Sequence, residues 1–439
     1  MARPGALERR DRAQWSSEPA FVFSMAAAAV GLGNLWRFPY MVGENGGAAF
    51  IIAYLFSLVV VVLPIMMLEV SAGRLAHGSA VHTFRQVNRF GTVYGWVVVL
   101  LTTAITSYYL VITGWTLGYA LDAWRGSMRD FDEFTGGYNS LWFFFIVTAV
   151  ACAVLIRGVR AIENLSKLLM PVLLLVIITL VFSASRMEGW AQAKDFLLRA
   201  DFSRLADTRL WIFAFGQAFY TLAIGQGYLV TYGSYIPKKT HVPRACLVVA
   251  ITETCIALLA GWMIFPFVFT FGMDPGEGSQ LAFSTLPAVF EQMDRGGLMG
   301  ILFFTLFFAA AFSSCLAGLK VVIAAVAEEF NLRNKPAVLL TCGVIGLLGI
   351  PSALSFSPVE LTAMGMPFLD FMDQFGGTNV VIVSGVLGAG LLCWFVPPER
   401  LRKALGTKSA WWEWRIYLAG RYLPVLVVAW LAWTLIMRG

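Results

Sequence analysis

Apolar residues run along this chain in stretches of about 20 or more, the length at which a helix crosses a bilayer, with short polar segments between them. Eleven such stretches are predicted, near 20–42, 48–74, 93–124, 140–157, 164–184, 210–235, 243–271, 298–327, 336–354, 371–396 and 416–437. The expected fold class is an all-α integral membrane protein. Two stretches are not plain spans. In the first, VGLGNLWRFP (Val30–Pro39) sets two glycines, an asparagine and an arginine amid apolar residues. Gly31 and Gly33 each cost a helix about 1 kcal/mol relative to alanine. A break there frees backbone amides and carbonyls, which hydrocarbon tolerates only where they line a cavity or bind something. Five spans later, FGQAFYTLAIGQGYLVTYGSY (Phe215–Tyr235) repeats the pattern, with Gly225 and Gly227 flanking Gln226.

Gly-interrupted spans at corresponding places in two halves point to an inverted-repeat transporter with its site at the breaks. The repeats are expected at about 18–185 and 208–396, within one transmembrane domain, with an added helix at about 416–437. Glycines alone would allow close helix packing, which suits Gly47, Gly114, Gly118 or Gly385. Asn34 and Gln226 need more, because their polar side chains require buried partners.

Composition supports a lipid environment. The chain is 59% hydrophobic and 13% charged, with a mean hydropathy of +0.74. Soluble domains are roughly 45–50% apolar and about 25% charged. Placing the N-terminus in the cytoplasm gathers Arg3, Arg9, Arg10 and Arg12, then Arg74, Arg85 and Arg89, then Arg157, Arg160 and Lys167 on that side. Lys238, Lys239, Arg244, Arg333, Lys335 and the cluster from Arg400 to Arg421 join them. This is the positive-inside asymmetry, and it accounts for the net charge of +6 without a nucleic-acid partner. Eleven spans then put the C-terminus outside. The arginine-rich N-terminus lacks a small-residue cleavage site, so the first span is expected to be retained.

Several chemistries find no support. All six cysteines fall inside expected spans and read as small buried apolar residues. His77, His82 and His241 lie in expected cytoplasmic loops without zinc spacing, and no Gly-rich lysine loop offers a phosphate cradle. No nucleophile–base pair or metal triad lies at membrane depth, so an enzyme is not expected. A channel would need a polar lining on several spans, whereas polar residues here gather at the two breaks.

VGLGNLWRFPY, ENGGAAF (Glu44–Phe50), PIMMLEVSAGR (Pro64–Arg74), the Tyr108–Tyr109 pair with GWTLGYAL, and GQAFYTL together resemble the neurotransmitter:sodium symporter family, bacterial amino-acid branch. The resemblance runs from Trp15 to about residue 395. It implies a leucine-transporter-like fold with broken helices 1 and 6, and sodium-coupled symport of a neutral amino acid across a bacterial inner membrane by alternating access. It implies one or two sodium ions, no chloride requirement, and a possible homodimer in the bilayer.

By this resemblance the substrate lies against Ala28, Ala29, Gly31, Leu32, Gly33 and the Tyr109 hydroxyl. Ile105, Tyr220, Thr221, Ala223, Gln226, Ser313 and Ala317 match the side-chain pocket. Monoamine carriers of the family place an aspartate where Gly31 stands, so glycine implies an α-amino acid. The first sodium site would draw on Ala29, Asn34, Thr221 and Glu253, whose oxygens suit a hard cation. Structural pairing of Glu253 with another buried donor is the alternative. Relatives that co-bind chloride use a serine where Ala257 stands.

The second sodium site would use the carbonyls of Ala27, Val30 and Ala309, with hydroxyls in FFAAAFSSCLAG. One alignment leaves Ser313 with Phe312, which offers no ligand; a one-residue shift gives Ser313 with Ser314, and both stay open. Lys320 on the same helix either snorkels to the cytoplasm or takes part in coupling, which would make transport proton-coupled or single-sodium. Arg37 and Asp373 match the outer gate, and Arg12, Trp15, Tyr235 and Glu328 the inner one. Glu328 lies one residue beyond the aligned Ala327. Glu69 is expected to hydrogen-bond the unwound backbone of spans one and six. A non-transporting amino-acid sensor is the remaining alternative.

Overall fold

The computed structural model describes residues 14–276, 282–283, 286–291, 296–406, 410–423 and 425–426. The long helices are α1 (Glu18–Ala29), α2 (Gly33–Glu44), α3 (Ala48–Ala76), α4 (Arg89–Arg125), α5 (Asn139–Ile156) and α6 (Val159–Ala184). There follow α7 (Thr208–Thr221) and α8 (Tyr228–Gly233), α9 (Val242–Thr270), α10 (Gly296–Glu329), α11 (Asn334–Leu348) and α12 (Phe368–Phe395). Then come α13 (Pro398–Leu405) and α14 (Ala410–Tyr417). Among the described residues seven helices are long and apolar enough to cross a membrane, and an eighth if α1 and α2, bent by 50°, form one span. The expected sixth span is split, the ninth is only 15 residues long in α11, and most of the eleventh lies outside the described residues. The number eleven therefore stays an expectation.

Local sequence sets the ends. Asn88 caps α4 by accepting the Gly91 N–H at 2.8 Å, and Gly126 closes it at φ 74°, a left-handed position that glycine adopts without strain. The apolar run alone placed that span at 93–124, because the caps are polar.

Burial sorts the helices into an inner and an outer set. The most apolar window of α4 is 83% buried and that of α6 only 28%, so α4 is scaffold and α6 faces lipid. Within the scaffold, α10 packs along α4, and α1 lies against α6, α9 and α10. Both breaks are thereby enclosed at the centre. The cysteines need one correction: all six are free, but Cys255 is exposed and Cys152, whose thiol meets that of Cys342, is half-buried.

Candidate functional site

At the first break Val30 turns extended (φ −78°, ψ 106°), and α2 resumes in a wide turn over Gly33–Arg37. Side chains meet the freed backbone. The Gly31 N–H donates to Asn34 Oδ1 (3.2 Å) and the Leu32 N–H to the Tyr109 hydroxyl (2.6 Å). Ser313 Oγ donates to the Ala27 carbonyl (2.9 Å), and Ser314 Oγ to the carbonyls of Ala28 (2.9 Å) and Val30 (3.3 Å). Gly31 is hemmed in: a Cβ there would lie 2.2 Å from the Tyr109 hydroxyl and 2.3 Å from Ser314 Oγ. No larger residue fits unless these two give way.

The second break spans the segment between α7 and α8. Ala223 (φ 51°), Gly225 (φ 73°) and Gly227 (φ 75°) are left-handed. The Gly225 N–H donates to Glu69 Oε1 at 2.9 Å, and its carbonyl accepts from Ser384 at 2.7 Å. A Cβ at Gly225 would meet the Gly385 backbone nitrogen at 2.3 Å, so α12 approaches here because both residues are glycine. Glu69 thus serves the sixth-span break, and no contact from it to the first break is among those described. The Gln226 carbonyl accepts from Thr102 at 2.5 Å.

A cavity lies between the breaks, lined by Ala28, Ala29, Gly33, Ile105, Tyr109, Tyr220, Thr221, Ala223, Gln226, Tyr228 and Ser314. It measures about 20 Å³, the room of about one water molecule, so anything larger enters only when the surrounding helices part. Gln226 is 3% exposed, and its Nε2 has no partner among the described residues; that leaves a buried donor beside the cavity. Of the residues expected in the side-chain pocket, Ser313 and Ala317 do not line it, and neither do Gly31 and Leu32 of the backbone set. A one-residue step turns a helix by about 100°, so Ser314 faces the cavity while Ser313 faces the Ala27 carbonyl. Tyr228 is a lining residue that the sequence reading missed. Its only signal was a position two residues past Gln226.

Phe312 stacks on Phe308 at 5.5 Å, away from the carbonyls, while Ser313 and Ser314 both reach them. Ser313 also donates to the Ala310 carbonyl at 2.9 Å, a back-bond within its own helix. Three carbonyls of the first break and two hydroxyls converge without a nitrogen ligand, a donor set that suits a hard cation.

Glu253, fully buried, collects four donors. Asn34 Nδ2 lies 2.6 Å from Oε1, and the Thr221 hydroxyl binds the same oxygen. Tyr54 and Thr254 donate to Oε2 at 3.3 and 3.2 Å. A buried carboxylate is costly unless its oxygens are satisfied in this way. Asn34, Thr221 and Glu253 therefore come together as expected for one site. Tyr54 was missed because it lies in a span that otherwise reads as plain lipid-crossing sequence.

Above the cavity, Arg37 is buried, donates to Gln217 Oε1 at 2.7 Å and lies 4.8 Å from the centroid of the Tyr220 ring. Gln217 Nε2 donates in turn to the Gly33 carbonyl at 2.8 Å, joining the break to the arginine; the sequence reading gave Gln217 no role. Asp373 accepts from the Tyr108 hydroxyl at 2.9 Å and lies within electrostatic reach of Arg37. On the other side, Trp15 donates its backbone N–H to the Tyr235 carbonyl (3.0 Å) and its indole N–H to that of Tyr232 (3.1 Å). Glu328 accepts the Ser79 N–H at 2.7 Å and pairs with His82 Nδ1 at 3.1 Å. Arg12 lies outside the described residues. Lys320 is 8% exposed, with its ammonium 5.7 Å from the Tyr235 ring centroid; it does not snorkel freely to solvent.

Residues 12–129 and 133–436 match the sodium:neurotransmitter symporter family. An uncharacterized sodium-dependent transporter of Haemophilus influenzae is 31% identical over 423 residues, covering 91% of this chain and 92% of the relative. Another, from Bacillus subtilis, is 33% identical over 398 residues, 88% and 87% of the two chains. The crystal structure of MhsT in complex with L-phenylalanine superposes with a TM-score of 0.88 at 33% identity, over 95% of this chain and 99% of MhsT. The broken-helix fold is thus that of a known multi-pass membrane transporter, and this chain belongs to the sodium:neurotransmitter symporter family.

Proposed function

We propose that the protein carries a neutral amino acid into the cell together with sodium by alternating access. The observation that supports this best is the convergence at the first break. Freed backbone, the Tyr109 hydroxyl, Thr221, Gln226 and Ser314 border one cavity, with the Glu253 carboxylate bonded to Thr221 and the Ser313 hydroxyl on the Ala27 carbonyl. Half-helix N-termini favour an anionic group such as a substrate carboxylate. That MhsT holds L-phenylalanine supports an amino acid as cargo. In this reading Ala29, Asn34, Thr221 and Glu253 hold one sodium, and Ala27, Val30, Ser313 and Ser314, with the carbonyl of Ala309 or of Ala310, hold a second. Glu253 supplies a fixed negative charge, which makes chloride unnecessary. Gly31, backed by Tyr109 and Ser314, excludes an aspartate and so favours substrates that bring their own carboxylate.

Arg37 and Asp373, with Tyr108, Tyr220 and Gln217, form the outer closure. Trp15, Tyr235 and Glu328 with its Ser79 and His82 partners form the inner one, on the side that the positive-inside asymmetry assigns to the cytoplasm. The inverted repeats, an N-terminus inside, a bacterial inner membrane and a homodimer belong to the same reading. Lys320 favours a second one, in which a buried ammonium on the helix of Ser313 and Ser314 replaces one ion and coupling is partly to protons.

Binding of an amino-acid panel, read by thermal shift in sodium and in choline at two pH values, separates the two. Stabilisation by one class of amino acid only in sodium supports sodium symport. Stabilisation that ignores sodium and follows pH moves the assignment to Lys320.

A further inference from the structure

A large cavity lies away from the two breaks, at the end of the molecule where α3, α8 and α12 finish and α13 begins. It measures about 780 Å³, and Arg74, His77, Lys238, Arg400 and Lys403 line it. Among its described lining residues there is no aspartate or glutamate. Four cationic groups around one concavity, Arg74, Lys238, Arg400 and Lys403, repel one another unless an anion lies between them.

Arg74 is committed to the framework: it donates to the carbonyls of Thr240 (2.7 Å), Ala404 (3.1 Å) and Lys238, fastening α3 to α13. Lys238, Arg400 and Lys403 are exposed and free to turn inward. Thr83 and Gln86 add polar groups, and Leu75, Leu392, Phe395 and Val396 form an apolar wall. Phe395 is 55% exposed, at the last turn of a helix that crosses the bilayer. Apolar wall and basic floor thus meet at the depth where acyl chains give way to headgroups.

We infer that this cavity binds the phosphate headgroup of an anionic phospholipid from the leaflet at the basic end of the protein, with the start of an acyl chain against Phe395 and Leu75. Basic pockets between spanning helices on the cytoplasmic side hold such headgroups, and each nearby Lys or Arg strengthens binding by about fivefold. The occupant bridges α3 and α12 to α13.

Purified, delipidated full-length protein is titrated with dioleoyl phosphatidylglycerol, dioleoyl phosphatidylcholine or inorganic phosphate, and the thermal midpoint is followed. The same titrations are run on the Arg400→Gln/Lys403→Gln double variant. Sodium-dependent stabilisation by the amino acid is the control that the variant folds. Saturable stabilisation is expected from phosphatidylglycerol alone, with its half-point rising about 25-fold in the double variant, from about fivefold per charge. Lys238→Gln, in a different loop, is expected to raise it about fivefold. Equal response to phosphatidylcholine, or unchanged half-points in both variants, overturns the inference. Stabilisation by inorganic phosphate as strong as by phosphatidylglycerol makes this a site for a soluble anion and overturns the lipid assignment.

Discussion

Replacing Glu253 with glutamine removes one charge and almost no volume. In the folded protein Asn34 and Thr221 donate to one oxygen of Glu253, and Tyr54 and Thr254 donate to the other. All four are donors aimed at a fully buried acceptor. A glutamine offers one acceptor oxygen and an NH₂ group, so two of these donors come to face another donor. A hydrogen bond to a charged group contributes about 1.5–3 kcal/mol, and 1.4 kcal/mol is tenfold in affinity. Losing the charge-assisted bonds that hold Asn34 and Thr221 is therefore expected to raise the sodium concentration for half-maximal amino-acid binding by about 10- to 100-fold. Because the variant lacks the fixed negative charge, added chloride should recover part of that loss, whereas wild type should respond equally in chloride and gluconate. The assay is equilibrium binding of radiolabelled amino acid as a function of sodium, with chloride or gluconate as the counter-ion. An unchanged sodium half-point together with indifference to chloride would refute the placement of Glu253 beside the first sodium site and return it to a structural role.

Other perturbations test separate parts of the site. Ser313→Ala and Ser314→Ala should each weaken sodium activation of uptake several-fold, whereas Phe312→Ala, which loses only ring packing, should lower the thermal midpoint and leave the sodium half-point in place. Sodium sensitivity that tracked Phe312 and not the serines would reject the register described here. Asp373→Ala leaves the Tyr108 hydroxyl without its acceptor and should speed release of bound amino acid and cut uptake at least tenfold, as read by dissociation after dilution; an unaltered off-rate removes Asp373 from the outer closure. Gln226→Phe fills the lined cavity and removes its free amide donor, so preference should move toward small apolar amino acids in a competition panel. An identical competition profile would show that Gln226 does not touch the substrate.

Both breaks were legible because glycines and buried-polar residues are out of place in a lipid-crossing stretch, and Asn34 and Gln226 could be singled out on that ground. Glu253 entered through the resemblance, but its company could not be read: Tyr54 is one aromatic among many in an apolar span, and only folding brings it to the carboxylate. Gln217 was equally hidden. Its importance lies in bridging the Gly33 carbonyl and Arg37, a contact between helices 184 residues apart in sequence. In FFAAAFSSCLAG the adjacent serines and the alanine run leave the register ambiguous, and a step of about 100° decides that Ser314 lines the cavity as well as meeting the carbonyls of Ala28 and Val30, while Ser313 meets that of Ala27. That step is set by the packing of α10 on α1 and α4. The basic cavity stayed invisible for a related reason, since Arg74, Lys238 and Arg400 read one by one as topology signals.

The central claim is that a sodium gradient drives accumulation of an amino acid. Purified protein in proteoliposomes, given the amino acid identified by thermal shift, is supplied with an inward sodium gradient or with equal sodium on both sides, at constant pH. Accumulation above the external concentration with the gradient, and equilibration only without it, is the expected result. Accumulation that persists without sodium, or that follows an imposed pH gradient instead, would contradict it.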